Sequence, residues 1–439
     1  MSEPARSAPA DLGILRFAHA YDSGGGTERY LDDLDRSLLE RSAATIVRLH
    51  LSRDISACGE SVEPLGLGRL VRVKLPVIAP KDATASSGAA SLRLRLKQRA
   101  RDWLLYNPLV WRAAGEKWTA NQNLEPRPGE GIGAGRAAAR ILQSRRIDLV
   151  VMHFFGGADA DEVISEARRC GVPVALINHY SNDRFLHLAN RKHVMLADSV
   201  AGVNGLEVPA YLKGRLINVS DGIDTEFFRA VNARPLARHP SSPIILLPAR
   251  VVREKGQMDL VHAAASLRKA GMDCRVAFAG RVDASDFVTE LRRKIAEANM
   301  TESVQFLENL NVEQLRDWYA ASAVVAFPTY HHEGLGRVSV EAQAMGVPVV
   351  AYATGGVPEG IVSGKTGYLV PTGDIAELTR RLGELLSSAT LRESMGRRGR
   401  AEVEKRFSLL ALAQRHESFY AQTIANFQAR TSFREVDAN

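Results

Sequence analysis

The chain has little cysteine and no long apolar run, and these two shortages narrow the classes to which it can belong. Its three cysteines, Cys58, Cys170 and Cys274, stand far apart and form no metal-ligand or disulfide spacing. They read as incidental thiols in a reducing compartment. No uninterrupted apolar run approaches the roughly 20 residues needed to cross a bilayer. Asp11, Arg16 and His19 break up what would have to be the apolar core of a signal peptide. Patterns of zinc fingers, RNA-binding sheets and recognition helices are also missing, so nucleic acid is not an expected partner. The expectation is a cytoplasmic enzyme.

What is present is a large amount of regular alternation. At 439 residues the chain exceeds one ordinary core, and two α/β domains of roughly 200 residues each are the natural division. The first half opens with the strand-like LGILRFAHA, the glycine loop YDSGGGTER and a helix through YLDDLDRSLLER. IDLVVMHFF and PVALINHYS follow as strands around a helical ADADEVISEARRCG, and KHVMLADS and GRLINVSDG read as shorter strands. Residues 77–91 and 118–136, rich in small residues, Pro and Asn, read as loops. The alternation restarts at IILLPAR and runs through CRVAFAGR, VQFLEN, VVAFPT and VPVVAYA, with helices between.

The net charge of +7 is unevenly placed. Between Arg69 and Lys117 eleven Lys or Arg face only Asp82, Asp102 and Glu116. In that tract Arg93, Arg95, Lys97, Arg99 and Arg101 run into Trp103, Leu104, Leu105, Tyr106 and Trp111. Such a segment suits an anionic membrane surface, and it equally suits a solvated helix packed on its own domain.

Four clusters carry chemistry. Gly24, Gly25 and Gly26 precede a helix whose free N–H groups suit an anion. His179 follows an apolar strand and so faces the active edge of a parallel sheet. Arg250 and Lys255 in PARVVREKGQ give a guanidinium fork and a point charge after a strand, a combination suited to diphosphate. Glu333 and Glu341 bracket EGLGRVSVE, which places one carboxylate on a strand-to-helix loop and the other in the following helix. His331 and His332 are adjacent but have no third protein ligand in view, so no metal site is expected.

In this order the clusters resemble the large fourth family of retaining glycosyltransferases. Gly25-Gly26 with Glu28 is similar to its GG-x-E element, Arg250 to Gly256 to its R-x(4)-K-G element, and Glu333 to Glu341 to its paired glutamates. Asp221, Gly222, Asp224 and Phe227 are similar to its N-G-V-D-x-x-x-F junction, with Asp221 in place of asparagine. The resemblance is densest over residues 217–374.

The resemblance implies the GT-B fold, α/β with two Rossmann-like domains facing across a cleft. It places an acceptor-side domain at 1–217, a linker at 218–240 and a nucleotide-sugar domain at 241–409. A crossover helix at 410–430 then returns to the first domain, ahead of a tail at 431–439. By resemblance, Gly25 and Gly26 approach the donor phosphate, His179 assists at the transferred sugar, and Arg250 and Lys255 neutralise the departing diphosphate. Glu333 holds sugar hydroxyls, Gly334, Leu335 and Gly336 offer backbone N–H groups, and Glu341 accepts from the ribose.

Three departures accompany it: Arg337 where many relatives are apolar, Glu308 where they place glycine, and no aspartate directly after His179. The implied reaction uses a nucleoside-diphosphate sugar, with no tightly bound cofactor and no metal. The acceptor would be a lipid-linked saccharide or a small polar molecule, met in the cytoplasm or at the inner face of the membrane. A nucleotide-sugar epimerase, a sugar phosphorylase and a non-catalytic nucleotide-sugar module are the alternatives.

Overall fold

The inner strands of the first half send alternate side chains into two different cores, which fixes the sheet between two helical layers. The computed structural model describes residues 11–18, 26–52, 59–76, 134–153, 158–179, 193–203, 212–234, 242–282 and 286–436. Gly25, Cys58, the basic and aromatic tract from 77 to 117, the small-residue tract up to 133, and residues 180–184 lie outside them.

Strand β1 (Gly13–Ala18) shows the alternation clearly. Ile14 joins the cluster that holds Leu31 and Leu34 of helix α1 (Gly26–Leu39). Leu15 and Phe17 join the opposite cluster, with Ala138 of α2 (Ala134–Ser144) and Val163 of α3 (Ala158–Arg169). Strands β2 (Thr45–Ser52), β3 (Gly59–Leu65), β4 (Gly68–Pro76), β5 (Leu149–Met152), β6 (Val174–Asn178), β7 (Ser199–Gly202) and β8 (Leu216–Asn218) complete the sheet. Their order is β3-β4-β2-β1-β5-β6-β7-β8, parallel except for the β3–β4 hairpin.

The second half forms a parallel six-stranded sheet. Its strands are β9 (Ile244–Pro248), β10 (Arg275–Ala279), β11 (Val304–Leu307), β12 (Val324–Phe327), β13 (Val349–Tyr352) and β14 (Gly367–Val370), in the order β11-β10-β9-β12-β13-β14. The order reverses between β9 and β12. In such sheets that reversal opens a crevice beyond the carboxyl ends of the two strands. Helices α4 (Gln257–Lys269), α5 (Asp286–Glu297) and α6 (Val312–Ala321) belong to this half. So do α7 (Arg337–Ala344), α8 (Val357–Gly360), α9 (Ile375–Ser387) and α10 (Ala389–Arg406). Asn311 caps α6 by accepting from Gln314 N at 2.8 Å, while the Gln314 side chain accepts from Asn311 N at 2.9 Å.

Helix α11 (Leu409–Val436) lies on the first sheet. Its Leu412, Ala413, Phe419 and Tyr420 are buried in the same cluster as Leu34 and Leu38 of α1. Arg415 ties its start to the segment after β8, donating to Val219 O at 3.0 Å. Among the described residues no helix is long and apolar enough to cross a membrane.

One expected strand is displaced. Lys192–Ser199 reads as a strand, but His193–Leu196 is helical and the strand begins at Ser199. A four-residue apolar run cannot separate a period of 2 from one of 3.6. Asp198 also commits its carboxylate to Val174 N at 2.9 Å, which sets the strand start beyond it. Helix α2 starts at Ala134, inside the stretch expected to be a loop through residue 136.

Candidate active site

The crevice of the second sheet receives one loop from β9 and one from β12. After β9 the chain passes Arg250, makes a single turn over Arg253–Lys255 and reaches Gly256 at φ 73°. A Cβ at Gly256 would lie 1.9 Å from Pro328 O, so only glycine lets the two loops run side by side there. They are stitched together by Tyr330 N donating to Glu254 O at 2.8 Å and Thr329 Oγ1 donating to the same oxygen at 3.2 Å. Tyr330 Oη also donates to Asp259 Oδ2 on α4 at 2.7 Å. The stitching brings Lys255 Nζ into a hydrogen-bonded ion pair with Glu333 Oε1. Gly356 N donates to Glu333 O at 2.9 Å and fixes the loop from behind. Arg250 stands exposed at the cleft, with its carbonyl held by Gln257 Nε2 at 2.8 Å.

Glu341 sits deeper, 2% exposed on α7. Tyr319 of α6 donates to its Oε2 at 3.0 Å, and Arg337 Nε lies 3.7 Å from its Oε1. Burial, followed by the Glu341 charge, pushes the Tyr319 phenol well above its ordinary value. That phenol therefore stays a donor.

Arg337 gathers three further acceptors: Asp221 Oδ1 at 3.1 Å, Gly222 O at 3.0 Å and Asp33 Oδ2 at 3.1 Å. Burial works against its charge, but Asp221, Glu341 and Asp33 together raise its pKa above the usual value. Burial also raises Asp33 and Asp221, with Arg337 pulling each of them down. The departure at Arg337 is thus a bridge from α7 to the segment after β8 and to α1 of the first domain.

The first domain supplies the facing wall with Arg29, Tyr30, His179 and Val203, across a cleft of about 430 Å3. Glu333, Gly334, Leu335, Gly336, Arg337 and Glu341 line the other side with Arg250 and Lys255. The walls meet at Gly334, where a Cβ would lie 2.7 Å from His179 O. His179 itself contacts His153, at the end of β5, through Nε2 and Nδ1 at 2.7 Å. Burial and then Arg16 push the His179 pKa down to about 3. Tyr30 packs edge-on against the His179 ring at 4.5 Å and contacts His416 Nε2 of α11 at 2.6 Å.

His179, Arg250, Lys255, Glu333, Gly334, Leu335, Gly336 and Glu341 therefore converge on one cleft. Gly26 opens α1, and Gly25 lies outside the described residues. Glu359 accepts from Asn218 Nδ2 at 3.2 Å and spans the domains instead of lining the cleft. Among the described residues no group of three or more His, Cys, Asp or Glu could hold a metal ion, and His331 and His332 are both exposed. Sequence reasoning missed Asp33, Tyr319, His153 and Arg16. Only His153 carried a usable signal, the same strand-end position as His179.

Two Rossmann-like sheets joined across such a cleft define the GT-B fold, and the chain belongs to that fold class. Within that class, residues 229–402 match the family described as "Glycosyl transferases group 1". The capsular polysaccharide biosynthesis glycosyltransferase CapM of Staphylococcus aureus is 27% identical over 241 residues, 52% of this chain and 58% of that protein. A GDP-mannose-dependent alpha-(1-6)-phosphatidylinositol monomannoside mannosyltransferase of Mycolicibacterium smegmatis is 33% identical over 196 residues, 42% of this chain and 50% of that protein. The chain thus spans about half the length of the curated relatives it matches. A glycosyltransferase structure from Rickettsia africae superposes with a TM-score of 0.66 at 18% identity, covering 94% of this chain and 99% of that one. That likeness is one of fold.

Proposed function

We propose that the protein moves a sugar from a nucleoside-diphosphate sugar to an acceptor hydroxyl with retention at the anomeric carbon, in the assembly of an envelope polysaccharide or glycolipid. The observation that carries this reading is the placement of Arg250 and the Lys255–Glu333 pair at the crossover of the second sheet, opposite His179. A diphosphate there would meet two cations, and Glu333 would exchange part of its hold on Lys255 for sugar hydroxyls. Glu341, which accepts from Tyr319, would also accept from a ribose hydroxyl.

Neither glutamate suits a double-displacement nucleophile. Glu333 is tied to Lys255, and Glu341 is buried between Tyr319 and Arg337. The reading therefore favours departure and attack on the same sugar face, with the leaving phosphate oxygen taking the hydroxyl proton. The envelope setting draws on the relatives' names and on the basic tract before Lys117. Division into a first domain to 217, a linker to 240 and a second domain to 409 belongs to the same proposal.

The test is a binding and hydrolysis screen over UDP, GDP and ADP sugars, repeated with Lys255→Ala and Glu333→Ala. One donor bound selectively, with slow hydrolysis lost in both variants, is the expected result. Absence of donor binding by the folded protein overturns the reading. Binding without turnover in the presence of candidate acceptors would favour a non-catalytic module.

A further inference from the structure

Beneath the cleft a fully buried arginine sits on β1, among the buried Ile14, Leu15 and Phe17. Arg16 is 0% exposed and pairs with Asp35 of α1 at 3.0 Å. Asp35 is shared with Arg48 of β2, which also binds Asp32 at 2.7 Å. Two cations and two carboxylates balance, and a buried cation without such partners would be costly. The Arg16 charge is therefore permanent, and its Nη1 lies 2.7 Å from His153 Nε2.

Guanidinium only donates, so His153 Nε2 must accept and the ring must carry its proton on Nδ1. That Nδ1 lies 2.7 Å from His179 Nε2, which in turn must accept. His179 is then the tautomer with its proton on Nδ1. We propose that His153, fixed by Arg16, is a positioning residue that locks His179 in this tautomer, so that any proton His179 offers in the cleft comes from Nδ1 and its Nε2 does not serve as a base. The proposal rests on the transferase reading for its consequence in catalysis, while the tautomer itself follows from geometry alone.

A second brace acts on the same ring. His416 Nδ1 lies 2.9 Å from Leu412 O, which only accepts, so His416 Nε2 is left to accept from Tyr30 Oη. Tyr30 then packs edge-on against His179. Among the described residues, the groups facing the histidine pair are Arg16 from β1, Tyr30 from α1 and His416 from α11, with Arg48 and Asp35 behind Arg16. Lys255 and Glu333 occupy the opposite wall, paired with each other.

The test is two-bond 1H–15N correlation on 15N-histidine-labelled full-length protein, with His153 and His179 assigned by single substitution. His179 should show a protonated Nδ1 and an unprotonated Nε2, unchanged from pH 8 to pH 5.5. His153→Gln, whose amide can accept from Arg16 and donate to His179, should keep that signature. His153→Leu should lose it and allow His179 to titrate or change tautomer. In the transfer assay His153→Leu should lower kcat about a hundredfold with little change in donor KM, as for a misplaced group at a reaction centre. His153→Gln should recover most of that loss. A wild-type His179 that is protonated on Nε2, or that titrates in this range, overturns the proposal. So does a His153→Leu variant with both signature and kcat intact. If the signature holds but no donor is turned over, the tautomer lock stands and the transferase reading fails.

Discussion

Arg337 and Asp33 meet at 3.1 Å across the two domains, one at the first turn of α7 and the other on α1. The same guanidinium reaches Asp221 at 3.1 Å and approaches Glu341, so a single side chain ties the cleft wall, the segment after β8 and the first domain together. Replacing it strands several carboxylates at once. Arg337→Met should cost about 3–5 kcal/mol, the usual effect of removing one partner from a buried ionic cluster. Asp33→Asn should cost less, because Arg337 keeps its other partners. A double-mutant cycle by urea unfolding should give a coupling of about 0.5–3 kcal/mol, and additivity would mean the contact is energetically idle.

Gly334 tests how closely the walls must approach. Its Cβ would sit 2.7 Å from His179 O and 2.8 Å from Val203 Cγ2. Gly334→Ala is expected to hold the domains apart and lower turnover while leaving unfolding of the second domain unchanged. Small-angle scattering on the donor-saturated protein, together with kcat, decides this. Wild-type turnover in the variant would show that the approach is dispensable.

Tyr319 tests the alignment of Glu341. Tyr319→Phe removes one hydrogen bond to a buried carboxylate, worth about 1.5–3 kcal/mol. The expected result is weaker donor binding, with the free nucleoside affected as much as the nucleotide sugar. A loss confined to kcat would place Glu341 at the reacting sugar instead of the ribose.

Stability should fall steeply on mild acidification. Burial, with Arg16 behind it, holds His153 and His416 well below 6.5 and His179 at about 3. Unfolding returns each ring to its ordinary value, so below pH 6.5 the unfolded chain binds protons that the folded chain refuses. Their stabilising contribution is complete above pH 6.5 and is lost as the pH falls toward 3. Each ring contributes about 1.4 kcal/mol per pH unit within that window. Asp33 and Asp221, raised by burial, oppose the slope at lower pH. Chemical denaturation between pH 7 and pH 5.5 should show the slope, and His416→Gln should reduce it by about a third. A flat profile would mean that the rings are accessible to protons.

Much of the second domain was legible because its strands are buried on both faces and its loops carry charged residues at strand ends. Arg250, Lys255 and Glu333 all follow apolar runs, and the structure sets them around one crossover. The β3–β4 hairpin was not legible. GESVEPL contains proline and two glutamates, and it pairs only at the sheet edge, where such residues are tolerated. Arg16 escaped as well, since an arginine inside LGILRFA reads as an interruption until Asp35 is seen beside it. Its role depends on a partner 19 positions away on another element, and no local pattern reports that. Arg337 stood out as a departure, but its three partners come from two segments distant in sequence, α1 and the stretch after β8.

The cover that α11 gives the first sheet has a consequence for synthesis. Leu412, Phe419 and Tyr420 complete the core around α1, yet they leave the ribosome only after the entire second sheet has been made. Domains generally fold as units while the chain is translated at about 5–20 residues per second. The first sheet should therefore wait, incompletely covered, for roughly 190 residues of later chain, while the second can close on its own. Protease challenge of ribosome-bound chains stalled before and after residue 420 should show the first domain becoming resistant last, although it is made first.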